Sequence, residues 1–251
     1  MSILSAKNLV KKFGDTTAVD GVSLDIKTGE IFGFLGPNGA GKTTTIRLLT
    51  GALSPDDGTI EIFGMRYDDN AIAIKRQIGV VPDEPPSFKN LRGWEFLKFI
   101  ASIYRCEKDV FHRVDELCEL LKIDFLDEYT DEYSHGMKQK LMVVSVLMRR
   151  PKILFLDEPT TGLDPFSARA LKLLLRKIAN EGAAVFLTTH ILEIAEKMCD
   201  RLGVIVEGKI VAQGTIEQLR SQSGTEGDLE KIFLQLTGAD ESEIRKLIDE
   251  L

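Results

Sequence analysis

Apolar and polar residues alternate from residue 2 to 26, with Ile3, Leu4, Leu9 and Val10 followed by Val19, Val22, Leu24 and Ile26. A period of two predicts half-buried strands. Gly14-Asp15 and Asp20-Gly21 punctuate the stretch, so short antiparallel strands are expected there. Continuous apolar runs behave differently. Ile31–Leu35, Ile78–Val81, Ile153–Leu156 and Ala183–Leu187 are short and apolar almost throughout, as strands buried on both faces are. Thr59–Phe63 alternates as a further strand, and Leu202–Val206 with Lys209–Ala212 flank Glu207-Gly208, a hairpin signal.

Between residues 89 and 150 the period becomes helical. Leu91, Trp94, Leu97, Ile100, Ile103 and Tyr104 recur on one face, then Phe111, Val114, Leu117, Cys118 and Leu121 on another. Ser134 is placed to cap a helix running through Leu141, Val144 and Met148. A later helix carries Phe166, Leu171, Leu174, Leu175 and Ile178 on one face, and residues 191–198 are helical. Two short charged amphipathic helices are expected in 215–251, around Ser221–Gly227. The organisation that follows is an α/β core with an antiparallel β subdomain over 1–88 and 151–216. A helical subdomain is inserted at 89–150, and an acidic C-terminal helical extension covers 217–251.

The chemistry enters directly after the Ile31–Leu35 run. Gly36-Pro37-Asn38-Gly39-Ala40-Gly41-Lys42-Thr43 follows an apolar strand and precedes Thr44-Thr45-Ile46 at a helix start. Gly, four residues, Gly, Lys, Thr is the spacing of a phosphate-binding P-loop in its strand–loop–helix context. Successive backbone N–H groups converge on a phosphate, and side chains at Gly39 or Gly41 would obstruct that approach. The helix adds the positive end of its dipole. Lys42 is a mobile charge for the terminal phosphates, and the Thr43 hydroxyl can ligate Mg²⁺.

Two further strand ends bear reactive groups. Ile153–Leu156 delivers Asp157 and Glu158 at its C-terminal end, where open α/β sheets place ligands. Asp157 suits a metal and Glu158 a base or water orienter. Ala183–Leu187 delivers Thr188-Thr189-His190, and a His at such an end reads as functional against the simpler structural role. Asp83 opens a loop after Pro82. Phe13, just before the first turn, can stack on a purine or sit as a plain β-core aromatic.

Charge and cysteine content narrow the classes. The net charge of -7 is concentrated late, with nine acidic and four basic residues from Thr215 onward. The remainder is nearly neutral and has no basic stripe, so nucleic acid is not an expected partner. Cys106, Cys118 and Cys199 form neither a disulfide framework nor a zinc pattern. No apolar run approaches the roughly 20 residues of a membrane span, and the N-terminus lacks a basic region followed by an apolar stretch. A cytoplasmic location is therefore expected.

Taken in order, the P-loop, the helical insert, Ser134-His135-Gly136-Met137-Lys138, Leu156-Asp157-Glu158-Pro159 and Thr188-Thr189-His190 resemble the nucleotide-binding subunit of ABC transporters over residues 3 to about 216. The resemblance implies a P-loop NTPase fold with a mainly parallel sheet, and ATP with Mg²⁺ as ligands. By it Phe13 stacks on adenine, Gly36–Thr44 is Walker A, Asp157 ends Walker B, and Glu158 orients the attacking water. Asp83 approaches the Mg²⁺ through water, and His190 meets the γ-phosphate. Ser134–Met137 is the signature that completes the site of a second copy, and Gly162–Asp164 crosses the interface of a head-to-tail pair. Two residues depart from the family pattern: Asp83 stands where Gln is usual, and His135 where a second Gly is usual. The resemblance further implies a separate integral membrane permease, with the chain held on the inner face of the cell membrane through it. Thr43-Thr44-Thr45 and the acidic extension resemble exporter-type subunits. A soluble ATPase switch is the alternative, although such relatives usually carry two cassettes or a long coiled-coil insert.

Overall fold

The computed structural model describes residues 2–237 apart from 87, 108 and 224–228. The N-terminal hairpin is built from β1 (Ser2–Phe13) and β2 (Thr16–Lys27), and β4 (Asp57–Ile62) pairs antiparallel on the other side of β1. These strands are not short. Gly14-Asp15 makes the turn, but Asp20-Gly21 lies inside β2 as a bulge. The register steps there from Leu9 opposite Val22 to Val10 opposite Asp20, and Gly21 takes φ 70°. The extra residue is absorbed by local twist instead of ending the strand.

The second sheet has six strands in the order β5 (Ile78–Val81), β6 (Ile153–Asp157), β7 (Ala184–Thr189), β3 (Ile31–Leu35), β8 (Arg201–Val206) and β9 (Lys209–Gly214). Its first five strands run parallel, and β9 returns antiparallel across the Glu207-Gly208 turn. The chain is thus α/β, with a mainly parallel sheet and a separate antiparallel sheet, as expected.

Period two also operates inside the continuous apolar runs. Phe32, Phe34, Ile153, Phe155, Ala184 and Phe186 point to the face covered by the antiparallel sheet and by α1 (Lys42–Leu49). Ile31, Leu35, Leu154, Leu156, Val185 and Leu187 point to the face covered by helices that follow β5 in the chain. Phe186 is the centre of the first layer, with ring centroids of Phe32, Phe34 and Phe155 at 5.8, 5.4 and 5.9 Å. Full burial of one such ring contributes about 3 kcal/mol.

Residues 65–77 gave no pattern in the sequence, yet α2 (Tyr67–Gln77) forms there. Only Ile74 of it is buried, and Asn70 leaves helical geometry, so the amphipathic signal is broken. Between β5 and β6 come α3 (Gly93–Ile103), α4 (Val110–Leu121) and α5 (His135–Leu147). The expected face of α3 is shifted. Phe96, Leu97 and Ala101 are buried, whereas Ile103 is 53% exposed. On α6 (Pro165–Asn180) Leu171 and Leu175 are buried, but Phe166 is 51% exposed with Lys122 Nζ 3.8 Å over its ring. Phe166 sits in the first turn, where the helix has not yet reached the sheet. After α7 (Leu192–Met198) and the β8–β9 hairpin come α8 (Ile216–Ser223) and α9 (Leu229–Thr237). The rest of the expected extension, 238–251, lies outside the described residues. Among the described residues no helix is long and apolar enough to cross a membrane.

Candidate functional site

The C-terminal ends of β3, β6 and β7 are neighbours in the sheet, so whatever follows these strands meets at one edge. After β3 comes the loop 36–41. Gly36 is needed because a Cβ there would lie 2.4 Å from the Ile205 carbonyl oxygen. Gly41, the N-cap of α1, has φ 107°, and a Cβ would meet the Ala18 carbonyl oxygen at 2.4 Å. Gly39 differs. Its φ is 78° with open space around it, so conformation requires glycine there rather than crowding within the chain. Lys42 Nζ donates to the carbonyls of Gly36 at 2.7 Å and Pro37 at 3.1 Å. The cation therefore lies folded across its own loop.

After β6 come the two carboxylates. Asp157 is buried. Its Oδ2 accepts from Thr43 Oγ1 at 2.7 Å, and its Oδ1 accepts from Thr188 Oγ1. Glu158 has φ 46°, a left-handed backbone that a non-glycine residue adopts only under local constraint. The constraint is visible: its N–H donates to the Thr188 carbonyl at 3.3 Å and to Thr188 Oγ1 at 3.2 Å. Its Oε1 lies 2.9 Å from Nδ1 of His190, the residue after β7. Thr188 thus holds the Asp157 carboxylate and the Glu158 backbone, a role the sequence reading did not assign. Its only signal was adjacency to His190.

Asn38, Gly39, Gly41, Lys42, Thr43, Thr44, Asp83, Asp157 and Glu158 line one cleft of about 190 Å³, with Ala18. Pro37 and Ala40 complete the loop, Ala40 N–H donating to the Pro37 carbonyl at 3.2 Å. A larger cavity of about 670 Å³, among α4, α6 and the start of β6, lacks any such convergence of loop N–H groups and carboxylates. Burial lowers the Lys42 pKa, while Glu158, Asp157 and Asp83 work to raise it. The cleft offers a hydroxyl and carboxylates, hard oxygen donors that suit Mg²⁺. Among the described residues no cluster of three or more His, Cys, Asp or Glu could cage an ion unaided.

Asp83 reaches this cleft from the loop after β5. Burial pushes its carboxyl pKa up, Asp157 and Glu84 add to that, and His135 and His190 oppose it. The folded chain therefore holds the Asp83 proton more tightly than the unfolded chain does. The ionised carboxylate costs stability at neutral pH, and the cost fades as pH falls through the raised value toward the ordinary 3.8. Asp83→Gln is expected to melt about 1–2 °C above the parent at pH 7.5, a small effect because the group is partly solvated. Thermal melts from pH 7.5 to 4 check it; the gain should close toward pH 4.

Other predicted residues lie outside the cleft. Phe13, the last residue of β1, is 52% exposed, which removes the β-core alternative. Ser134 and Gly136 begin α5. Ser134 Oγ accepts the Met137 N–H at 3.3 Å, the cap read from the sequence. Gly136 is pressed against the loop after Glu158: a Cβ on it would lie 2.3 Å from the Gly162 carbonyl oxygen. Asp164 caps α6, accepting from Ser167 N–H at 2.9 Å and from Lys140 Nζ at 2.8 Å. Lys140 and Ser167 hold its carboxyl well below the usual carboxylate range. Within one chain, then, Asp164 shapes its loop and makes no part of the cleft wall.

Comparison with known proteins gives a consistent result. The family model described as ABC transporter matches residues 19–161. The chain is 37% identical over 243 residues to the Probable multidrug ABC transporter ATP-binding protein YbhF of Escherichia coli (strain K12), covering 94% of this chain and 42% of YbhF. It thus spans less than half the length of that relative. It is 36% identical over 224 residues to the Bacitracin transport ATP-binding protein BcrA of Bacillus licheniformis, covering 88% of this chain and 72% of BcrA. Among solved structures, one titled as the ATP binding subunit of an ABC transporter superposes with a TM-score of 0.89 at 31% identity, covering 94% of this chain and 99% of that one. The dimeric structure of MJ0796, a bacterial ABC transporter cassette, superposes at 0.77 with 25% identity, covering 85% of this chain and 98% of that one.

Proposed function

The chain belongs to the ABC transporter family, and we propose that it is the subunit that binds and hydrolyses ATP to power a separate membrane permease of the exporter kind. What carries this is the convergence at one sheet edge of a phosphate cradle, the Thr43–Asp157 pair at 2.7 Å and the Glu158–His190 pair at 2.9 Å. On binding, Lys42 leaves the carbonyls of Gly36 and Pro37 for the terminal phosphates, and loop N–H groups take the remaining oxygens. Phe13 stacks on the adenine. Thr43 and Asp157 would hold Mg²⁺, with Asp83 acting through water, and the ion would supply charge neutralisation at the phosphate oxygens. Glu158 orients a water whose oxygen attacks the γ-phosphorus. The water's proton passes to the Glu158 carboxylate, and the bond from γ-phosphorus to the bridging oxygen breaks to leave ADP. His190 fixes the Glu158 carboxylate and meets the γ-phosphate.

Ser134 and Gly136 serve the nucleotide of a second copy arranged head to tail. They do not line their own chain's cleft, and the similar MJ0796 cassette is dimeric. Residues 1–88 and 151–216 form the nucleotide-binding core, 89–150 the signature and docking segment, and 217–251 the extension. The permease docks between core and helical segment, beside the loop that starts at Asp83, and holds the chain on the inner face of the membrane. The names of the relatives, multidrug and bacitracin transport, support export.

Mixing two inactive variants tests the composite site. Lys42→Ala spoils the cradle and Ser134→Arg spoils the signature, so each alone should be nearly inactive. A mixed pair has one intact site, and the mixture is expected to recover up to about a quarter of parental phosphate release. No recovery in mixtures shown by light scattering to form dimers would overturn the shared site.

A further inference from the structure

The N-terminal ends of β6 and β7 open onto the cavity of about 670 Å³. Pro151-Lys152 leads into β6 and Gly182-Ala183 into β7, so the cavity lies a strand's length, roughly 15 Å, from the carboxylates at the other edge of the sheet. Its walls are α4 and the second half of α6. These helices touch where Ser167 Oγ donates to the Leu121 carbonyl at 3.3 Å, which closes one end, and the cavity occupies the other. Its floor is apolar. Leu147 is buried, but Leu117, Leu174 and Ile178 keep part of their surface uncovered, and Leu120 beside them is exposed. Arg113, Arg150, Lys152 and Lys177 stand around it against two carboxylates, Glu116 and Glu181. Arg113 is committed to Asp109 at 2.8 Å and to the Met148 carbonyl at 2.6 Å, and Glu116 reaches His112 at 3.4 Å. Lys152 Nζ turns to the Phe63 ring, 5.6 Å from its centroid. The Lys177–Glu181 contact is long, 3.9 Å, with both side chains exposed. Arg150 is exposed as well, and among the described residues its guanidinium has no carboxylate within 4 Å.

Cations near helix C-termini are ordinary, because they offset the dipole. Uncovered leucine and isoleucine side chains in a recess beneath them are not explained that way, since apolar surface left in water forgoes the stabilisation of burial. We propose that this cavity binds a single-chain amphipathic anion, its hydrocarbon body on Leu117, Leu147, Leu174 and Ile178 and its head group at the rim that Arg150 and Lys177 share. The volume is that of a small-molecule site, and the closed end excludes a helix running through. The sign of the head group follows from the unpaired Arg150 and the loosely held Lys177. A cationic amphiphile meets repulsion there, and a neutral one leaves both cations as they are. Once bound, the anion joins α4 and α5 to α6 and the sheet, across the boundary between residues 89–150 and 151–216. This goes beyond ATP hydrolysis and does not rest on it: no residue of the cleft that holds Lys42 and Asp157 lines the cavity.

Laurate, dodecyl phosphate, dodecanol and dodecyltrimethylammonium, each kept below its micelle concentration, test the site by isothermal titration on the full chain. One laurate or one dodecyl phosphate per chain is expected, bound at least tenfold more tightly than dodecanol, with the cationic amphiphile weaker still. Comparing the two anions tells a carboxylate source of this chemistry from a phosphate-bearing one. Saturating laurate should raise the melting temperature by at least about 3 °C. Arg150→Glu and Lys177→Glu sit on the exposed rim, so each should melt within about 1 °C of the parent and bind laurate at least tenfold more weakly. No saturable binding, equal affinity for anionic, neutral and cationic chains, or parental affinity in both variants overturns the proposal. So does a second copy of this chain as the occupant, seen by light scattering as ATP-free dimers that Leu120→Glu dissolves.

Discussion

Glu158→Gln is expected to slow ATP hydrolysis by roughly 10²–10⁴-fold while leaving ATP affinity within about twofold of the parent. The amide keeps the size of the carboxylate and its contact to His190 Nδ1, now 2.9 Å from Oε1. It cannot take the proton of the attacking water. The backbone of residue 158 is fixed by Thr188 and not by the side chain, so the left-handed turn survives the change. ATP then binds and stays, and the head-to-tail pair accumulates. Phosphate release, nucleotide fluorescence titration and light scattering with ATP measure the three effects. Parental turnover in this variant would remove Glu158 from the chemistry.

Lys42→Ala should act at the earlier step, with ATP affinity falling by at least about 100-fold. Loss of a charge-assisted contact worth about 3 kcal/mol sets that scale. In the free chain Lys42 is buried, and its Nζ bonds the Gly36 and Pro37 carbonyls. Those carbonyls are the acceptors it must give up for phosphate, so the measured loss is the difference between two sets of bonds. Without Lys42 the cleft also keeps the carboxylates of Asp83, Asp157 and Glu158 with no lysine to offset them. Isothermal titration with ATP in Mg²⁺ buffer reads the effect directly. Near-parental affinity would mean that the loop N–H groups suffice.

Both variants rest on residues that were legible before any coordinates. Apolar runs ending in Asp157-Glu158 and in Thr188-Thr189-His190 mark the C-terminal ends of parallel strands, and glycine spacing marks the cradle. What stayed hidden has physical causes. Thr188 bonds the Asp157 carboxylate and the Glu158 backbone, but that follows from β6 and β7 lying side by side, and pairing order is absent from local pattern. The Ala18 carbonyl that makes Gly41 obligatory comes from a hairpin in the other sheet. Helical periodicity gave a face but not its ends, so Phe166 and Ile103 were assigned to packing and stand half-exposed. α2 escaped because a single buried residue, Ile74, sets no period. That Phe13 is not a core aromatic could be read only from its exposure.

The contact between Gly136 and Gly162 has a consequence for the pair as a machine. With Lys140 bonded to Asp164 at 2.8 Å, the start of α5 and the loop leaving Glu158 are clamped as one piece. In the head-to-tail pair proposed above, that piece would bridge two different nucleotides, and a shift at one γ-phosphate would be handed across the interface without passing through the sheet. The two reactions would then form a closed ring of cause and effect, each chain reporting its own state through the neighbour's site.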